Sequence, residues 1–173
     1  MASFLSYFIT DPSYSLQQIK EAIKKHKPTF VCYRNKEYFD KNEIMDFANF
    51  AKNYSKVFIN LDSLKDDSLL EHFEGVHIPS SRLDEITEYK NKIIIASTHN
   101  PLEVQKAQKA DYITFSPIFK SKNRCGLGTE VLNHICNMHP KVIALGGIIS
   151  DKEVEEIKNT KAVGFGSIRY FFT

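Results

Sequence analysis

Short apolar runs rich in β-branched and aromatic residues recur about twenty residues apart along the whole chain. Eight can be marked: Tyr7–Thr10, Thr29–Arg34, Val57–Leu61, Gly75–Pro79, Lys92–Ser97, Tyr112–Pro117, Lys141–Leu145 and Ala162–Gly166. Each is largely apolar along its length, the pattern of a strand covered on both faces. Between them, Ser15–His26, Asp40–Asn53, Pro101–Ala110, Thr129–Met138 and Asp151–Thr160 repeat apolar residues at helical spacing. Ser150-Asp151 with Glu153, and Asn100-Pro101 with Glu103, supply N-caps with acids in the first turn, the latter with proline at the first helical position. The third and fourth connections, Leu64–Phe73 and Leu83–Tyr89, hold little more than two helical turns, and Ile168–Thr173 follows the last run. Strand and helix alternating eight times predicts a compact (β/α)8 barrel, one domain over residues 1–173, with short third and fourth helices and a truncated final helix. The aromatic end, Tyr170-Phe171-Phe172, reads either as packing on the barrel's own bottom or as a homodimer contact.

Composition narrows the class. With 42% hydrophobic and 25% charged residues the chain can bury a sizeable core and is not a disordered or fibrous sequence. A net charge of +2, with Lys and Arg scattered among Asp and Glu, argues against a nucleic-acid partner. Cys32, Cys125 and Cys136 are an odd set without CxxC spacing, which reads as reduced thiols in a cytoplasmic protein. The first nine residues have no basic region and run directly into a strand, so no signal peptide is expected, and no run approaches the roughly 20 apolar residues of a membrane span.

In a parallel barrel the side chains available for chemistry stand at the C-terminal ends of the strands. Those ends read Thr10-Asp11, Arg34-Asn35-Lys36, Asn60-Leu61-Asp62, His77 to Ser80, Ser97-Thr98-His99, Ser116-Pro117, Gly146-Gly147 and Gly166-Ser167. A polar group at all eight ends of an apolar barrel costs desolvation unless paired, and the coincidence of all eight points to a ligand site. Gly146 and Gly147 allow backbone N–H groups to approach an anion, Gly164, Gly166 and Ser167 offer the same one strand on, and a helix starting at Ile168 would add its dipole. The competing reading is that these glycines only make tight turns. Arg34 and Lys36, two residues apart, fall on one side of an extended chain and suit a second phosphate or a pyrophosphate. The loop Lys120–Gly126 adds three basic residues over the same mouth, to fold on an anion or to remain a surface loop. His77 and His99 end adjacent strands as acid/base candidates or as rim histidines with a structural role. No carboxylate pair has clear metal geometry, and Asp62 falls one residue past the position that best faces the mouth.

Taken in order, Tyr7-Phe-Ile-Thr-Asp11, Tyr33-Arg-Asn-Lys36, Phe58-Ile-Asn60, Gly75-Val-His-Ile78, Ser97-Thr-His99, Ala110-Asp-Tyr112 with Phe115-Ser-Pro-Ile-Phe119, and Ala144-Leu-Gly-Gly-Ile148 resemble thiamine phosphate synthase and its relative, the TenI-type thiazole tautomerase. The resemblance implies a barrel of thiamine biosynthesis that holds a thiazole phosphate at Gly146, Gly147 and the Gly166–Ser167 turn. Opposite, it implies a pyrimidine pyrophosphate on Arg34, Lys36 and Asn60, with His77 and Ser97 among the substrate-binding positions. Magnesium and a flexible Thr-x-Thr-Lys segment complete the synthase site. That segment is Ser121-Lys-Asn-Arg124 here, keeping a hydroxyl, an amide (Asn123) and a cation. The synthase's Asn-Asp and Gly-Gln-x-Asp-like segments are Asn60-Leu61 and Pro79-Ser-Ser-Arg82, so both magnesium carboxylates are absent. Asp62 with a substrate pyrophosphate would hold Mg2+ only weakly, and Arg82 is a cation in its place. The Gln and Glu flanking the basic pair are Cys32 and Asn35, and the tautomerase's catalytic His corresponds to Pro117, leaving His99 or His77 for proton transfer. The expectations are therefore synthase-type transfer with Arg34, Lys36, Asn60 and Arg124 on the pyrophosphate and Arg34, Lys36 and His99 as the catalytic residues, thiazole tautomerisation through His99, or a non-catalytic binder of a phosphorylated ligand. Another phosphate-handling barrel, such as a sugar-phosphate isomerase, follows by fold analogy alone.

Overall fold

In the computed structural model, which describes residues 2–173, eight parallel strands pair in chain order and the last returns to the first, closing a barrel. They are β1 (Leu5–Ile9), β2 (Phe30–Tyr33), β3 (Lys56–Asn60), β4 (Gly75–Ile78), β5 (Ile93–Thr98), β6 (Tyr112–Phe115), β7 (Val142–Leu145) and β8 (Gly164–Ser167). The (β/α)8 expectation holds, with strand limits moved by a residue or two.

Both faces of each strand are covered, which is why the runs read as apolar throughout. Tyr7, Ile9, Phe30, Cys32, Phe58, Ile95 and Ile143 fill the interior. Their neighbours Phe8, Val31, Ile59, Val76 and Ile94 face the helices in a second cluster. Tyr7, Phe30, Phe58 and Tyr112 meet at ring-centroid distances of 5.0–6.3 Å, mostly edge to face, and plug the barrel axis. Gly75 makes this possible, since a Cβ there would run into the Phe58 ring. The plug gives the mouth a floor.

The helices start where the sequence signals them. α1 (Leu16–His26) opens with a capping box between Ser15 and Gln18, and α2 (Lys41–Ala51) with the Asp40 carboxylate accepting from the Asn42 and Glu43 amides. α3 (Pro101–Lys106) has Asn100 accepting from Glu103 N, with proline at the first position. α4 spans Gly128–Cys136, and α5 (Asp151–Lys158) starts with Glu153 accepting from Ser150 N and Oγ. The helix expected to reach Ala110 stops at Lys106, because the chain must turn through residues 107–111 to enter β6. The third and fourth connections are 3-10 turns, Asp67–His72 and Ser80–Tyr89, the second kinked at Arg82.

After β8 a single 3-10 turn, Arg169–Phe172, stands where a closing helix would lie. The aromatic end does not reach the barrel bottom, as one sequence reading had it. Phe171 is buried on the outer flank against Phe8 and His26, with ring centroids 4.7 and 5.5 Å apart, and Phe172 stacks on Tyr14 at 3.6 Å. Phe171 is thereby buried, while Tyr170 and Phe172 stay half-buried. Among the described residues, no helix is long and apolar enough to cross a membrane.

Candidate functional site

The strand ends open on one cavity of about 920 Å3. Arg34, Lys36, Asn60, His77, Ser97, His99, Ser121, Arg124, Gly146, Gly147 and Ser167 all line it. Two further candidates do not. Gly166 points into the barrel, where a Cβ would lie 2.8 Å from Leu145 Cδ1, and Asn123 projects into solvent from the loop. Asp11, Lys122 and Arg169 complete the charged lining.

The β7–β8 side is built from backbone. Gly146 and Gly147 take φ of +99° and +72°, a region that side-chain-bearing residues rarely enter. A Cβ on Gly146 would lie 2.6 Å from Pro117 Cα, and one on Gly147 2.6 Å from the Lys120 carbonyl. The carbonyls of Leu145 and Gly146 accept from Ile118 N and Phe119 N at 2.9 and 3.0 Å, which pins the turn. Packing alone thus requires glycine here, so the anion argument rests on what shares the wall. Ser167 Oγ donates to the Ile148 carbonyl at 2.7 Å and accepts from Tyr170 N, which commits its hydroxyl to holding the β8 end. Among the described residues a four-residue turn, too short for a helix dipole, follows β8 and brings Arg169 to the cavity.

The β2–β3 side is built from charged side chains. Arg34 lies 3.6 Å from Asp11, and Lys36 Nζ lies 2.9 Å from Asp62 Oδ2. The other oxygen of Asp62 faces Arg82 Nη1 at 3.6 Å, and Arg82 is gripped by Glu85 through Nε and Nη2 at 2.7 and 2.6 Å. Partial burial pulls the Asp62 carboxyl upward, but Lys36 and Arg82 outweigh it and hold it below the usual range. The Asn60 side-chain carbonyl accepts from Asp62 N at 2.9 Å, leaving its amide group for the mouth.

Over the same mouth lies a tight turn. Ser121 and Arg124 exchange both backbone hydrogen bonds, at 3.1 and 3.0 Å, around Lys122 in the left-handed conformation. Leu127 N and Gly128 N bond to the Pro117 and Ile118 carbonyls, anchoring the segment, so the loop is a defined turn.

Between the two sides, His77 sits buried under the mouth. Its Nδ1 meets Tyr7 Oη and its Nε2 meets Ser97 Oγ, each at 2.6 Å. Burial, reinforced by Arg34 and Lys36, pushes His77 down to about 3, and burial raises the Tyr7 phenol, so both are neutral. The neutral imidazole thus ties the Tyr7 and Ser97 hydroxyls together through its two ring nitrogens. His77 is therefore a positioning residue beneath Ser97. His99 is different: it stands at the rim with its side chain 37% exposed, and Glu103 accepts from its backbone N–H at 2.7 Å and meets its Nδ1 at 3.0 Å. That leaves Nε2 for a ligand.

Sequence reasoning named most of these positions but missed three partners. Glu103 carried a usable signal, four residues after His99 at a helix start. Tyr7 lies 70 residues from His77 and only the barrel brings them together, while nothing local marks Arg169.

The family model described as thiamine monophosphate synthase matches residues 6–171. The chain belongs to the thiamine monophosphate synthase family. It is 31% identical over 166 residues to a thiamine-phosphate synthase of Prochlorococcus marinus, covering 88% of this chain and 47% of that protein. It is 28% identical over 166 residues to the thiamine-phosphate synthase of Thermosynechococcus vestitus, with the same coverages of 88% and 47%. The chain thus spans about half the length of the curated relatives it matches. The solved thiamine phosphate pyrophosphorylase of Pyrococcus furiosus superposes with a TM-score of 0.78 at 20% identity, over 95% of this chain and 85% of that one, a likeness of fold.

The magnesium that the family resemblance implies does not fit the donor set. Mg2+ takes octahedral oxygen ligands, normally one or two carboxylates beside substrate phosphates. Asp62 has both oxygens turned to cations, and Asp11 has one on Ser13 and the other toward Arg34. Among the described residues, no group of three His, Cys, Asp or Glu side chains converges on a possible ion site.

Proposed function

We propose that this barrel binds a thiazole phosphate on its β7–β8 side and a pyrimidine pyrophosphate on its β2–β3 side, and joins them. One observation carries the reading: two anion-receptive walls of different construction, Gly146-Gly147 with Arg169 and Arg34 with Lys36, face the same cavity across the mouth. A single monophosphate would need only one of them. In the joining step the thiazole nitrogen forms a C–N bond to the pyrimidine's exocyclic methylene carbon. The C–O bond to pyrophosphate breaks, and pyrophosphate leaves with the electron pair. Arg34 and Lys36 stabilise the charge that grows on the leaving group. Ser97, held by His77, presents its hydroxyl between the two walls and orients the heterocycles. The aromatic plug below keeps bulk water from the floor of the cavity.

The test is incubation of the purified chain with both substrates, reading thiamine phosphate by fluorescence after oxidation. Product above the protein-free control that is lost in Lys36→Ala supports the reading. Absence of product, with the thiazole phosphate still raising the melting temperature, rejects the coupling step.

A second reading has its own observation. The His99–Glu103 pair offers an oriented imidazole at the rim, which suits proton transfer on a bound thiazole phosphate, as in a tautomerase. His99→Asn would then abolish isomer interconversion while leaving ligand affinity unchanged. In a non-catalytic binder, neither the wild type nor the variant would turn the ligand over.

A further inference from the structure

The cavity lining is unbalanced in charge. Arg34, Lys36, Lys122, Arg124 and Arg169 face it, against the lone carboxylate of Asp11. Two of the five are already paired, Arg34 with Asp11 and Lys36 with Asp62. Among the described residues, Lys122, Arg124 and Arg169 form no ion pair. Two of those three stand on the Ser121–Arg124 turn. Its hydrogen bonds are closed at both ends, and it is packed so tightly at Gly126 that a Cβ would lie 2.7 Å from Phe119. The unspent positive charge of the mouth is therefore held on a hydrogen-bonded turn over the cavity that the Arg34–Lys36 wall faces, with Lys122 near enough to act on the Asp11 carboxylate that pairs with Arg34.

The same wall lacks oxygen ligands for a divalent cation. Asp11 has one oxygen on Ser13 and the other toward Arg34, and Asp62 is held from behind: Lys36 takes one oxygen and Arg82 the other, while Glu85 fixes the Arg82 guanidinium. In that position the carboxylate aims the Lys36 ammonium and is not available to a metal.

We propose that the pyrophosphate subsite is metal-independent: Lys122 and Arg124 of the turn, together with Lys36, supply the charge compensation that a divalent cation would otherwise give. The proposal rests on the assignment of a pyrophosphate to this side of the mouth under the proposed function. Physically it replaces one compact dication by fixed ammonium and guanidinium groups. Arg forks onto adjacent phosphate oxygens, and Lys acts as a point charge.

The experiment is calorimetric titration of the intact chain with inorganic pyrophosphate, once in EDTA and once in excess Mg2+. It is repeated on the Lys122→Gln/Arg124→Gln double variant and on Asp62→Asn. The expected result is binding in EDTA at least as tight as in Mg2+, because Mg2+ competes for the free anion. The double variant should bind at least tenfold more weakly, about 1.4 kcal/mol, with an unchanged melting temperature, since both side chains are exposed. Asp62→Asn should bind no more weakly than wild type in EDTA, having lost a nearby negative charge. Binding seen only with Mg2+ and lost in Asp62→Asn overturns metal independence and leaves the two-substrate reading standing. Binding in EDTA that the double variant leaves intact overturns the role of the turn. No binding in either buffer overturns this proposal and the pyrophosphate half of the proposed function together.

Discussion

The two walls of the mouth solve one problem by different means. On the β7–β8 side the chain offers backbone, shaped by Gly146 and Gly147 and locked to residues 117–120 by hydrogen bonds and close contact. On the β2–β3 side it offers side chains in partly exposed ion pairs, Arg34–Asp11 at 3.6 Å and Lys36–Asp62 at 2.9 Å, and a turn over the same mouth carries two more cations. The first wall is part of the fold, so altering it threatens the barrel. The second is nearly free of the fold, because exposed ion pairs contribute only about 0–1 kcal/mol each. Binding and stability should therefore separate on one side and move together on the other.

The largest effect lies beneath the side-chain wall. His77 is buried and pushed down to about 3, against an ordinary value of 6.5. The unfolded chain then binds a proton below pH about 6.5 that the folded chain refuses, so stability falls as pH drops from there toward 3. The span corresponds to at most about 4–5 kcal/mol from this one group. Denaturant melts from pH 7 to pH 4 should show the loss, and His77→Gln should flatten the slope. An equally steep slope in the variant would mean that other groups, such as the buried His139, carry it.

Next comes the backbone wall. Gly147→Val combines a left-handed residue with a Cβ driven onto the Lys120 carbonyl, and should cost about 3 kcal/mol in urea unfolding. It should also abolish binding of the thiazole phosphate. A variant within about 0.5 kcal/mol of wild type would break the comparison, since the turn would then be adaptable.

On the other wall, Arg34→Ala should weaken pyrophosphate about tenfold, the loss of one charge-assisted contact, while the urea midpoint stays put. A large loss of stability would show that the ion pairs are built into the fold after all. The smallest effect is in salt. Raising ionic strength should weaken pyrophosphate binding more steeply than binding of the thiazole phosphate, whose wall depends less on exposed charge.

The strands were legible because each is covered on both faces, so every run of inward and outward residues is apolar. The turn at Gly146 and Gly147 was legible because two glycines after the seventh run mark a bend that side chains would block, while the same packing need hides whether they also serve a ligand. What escaped was any feature set by residues far apart in the chain or by the exact end of an element. The Tyr7–His77–Ser97 chain of hydrogen bonds needs three strands to meet. The end of α3 at Lys106 answers to the turn into β6. Of the readings of the aromatic tail, the barrel bottom is overturned: Phe171 and Phe172 lie on the outer flank beside α1, where among the described residues no α-helix follows β8 to cover it. Asp62 illustrates the same limit: its sequence position gives a carboxylate near the mouth, and only the packed structure shows it turned to Lys36 and Arg82.

The account stands on two anion sites that are occupied together. The direct test is titration of the thiazole phosphate into the chain alone and into the chain saturated with inorganic pyrophosphate. The prediction is one molecule of each bound at once, with the thiazole phosphate affinity little changed by the pyrophosphate. Mutual exclusion, with either ligand displacing the other, would mean that the mouth holds a single anion site and that no joining of two phosphorylated substrates takes place there.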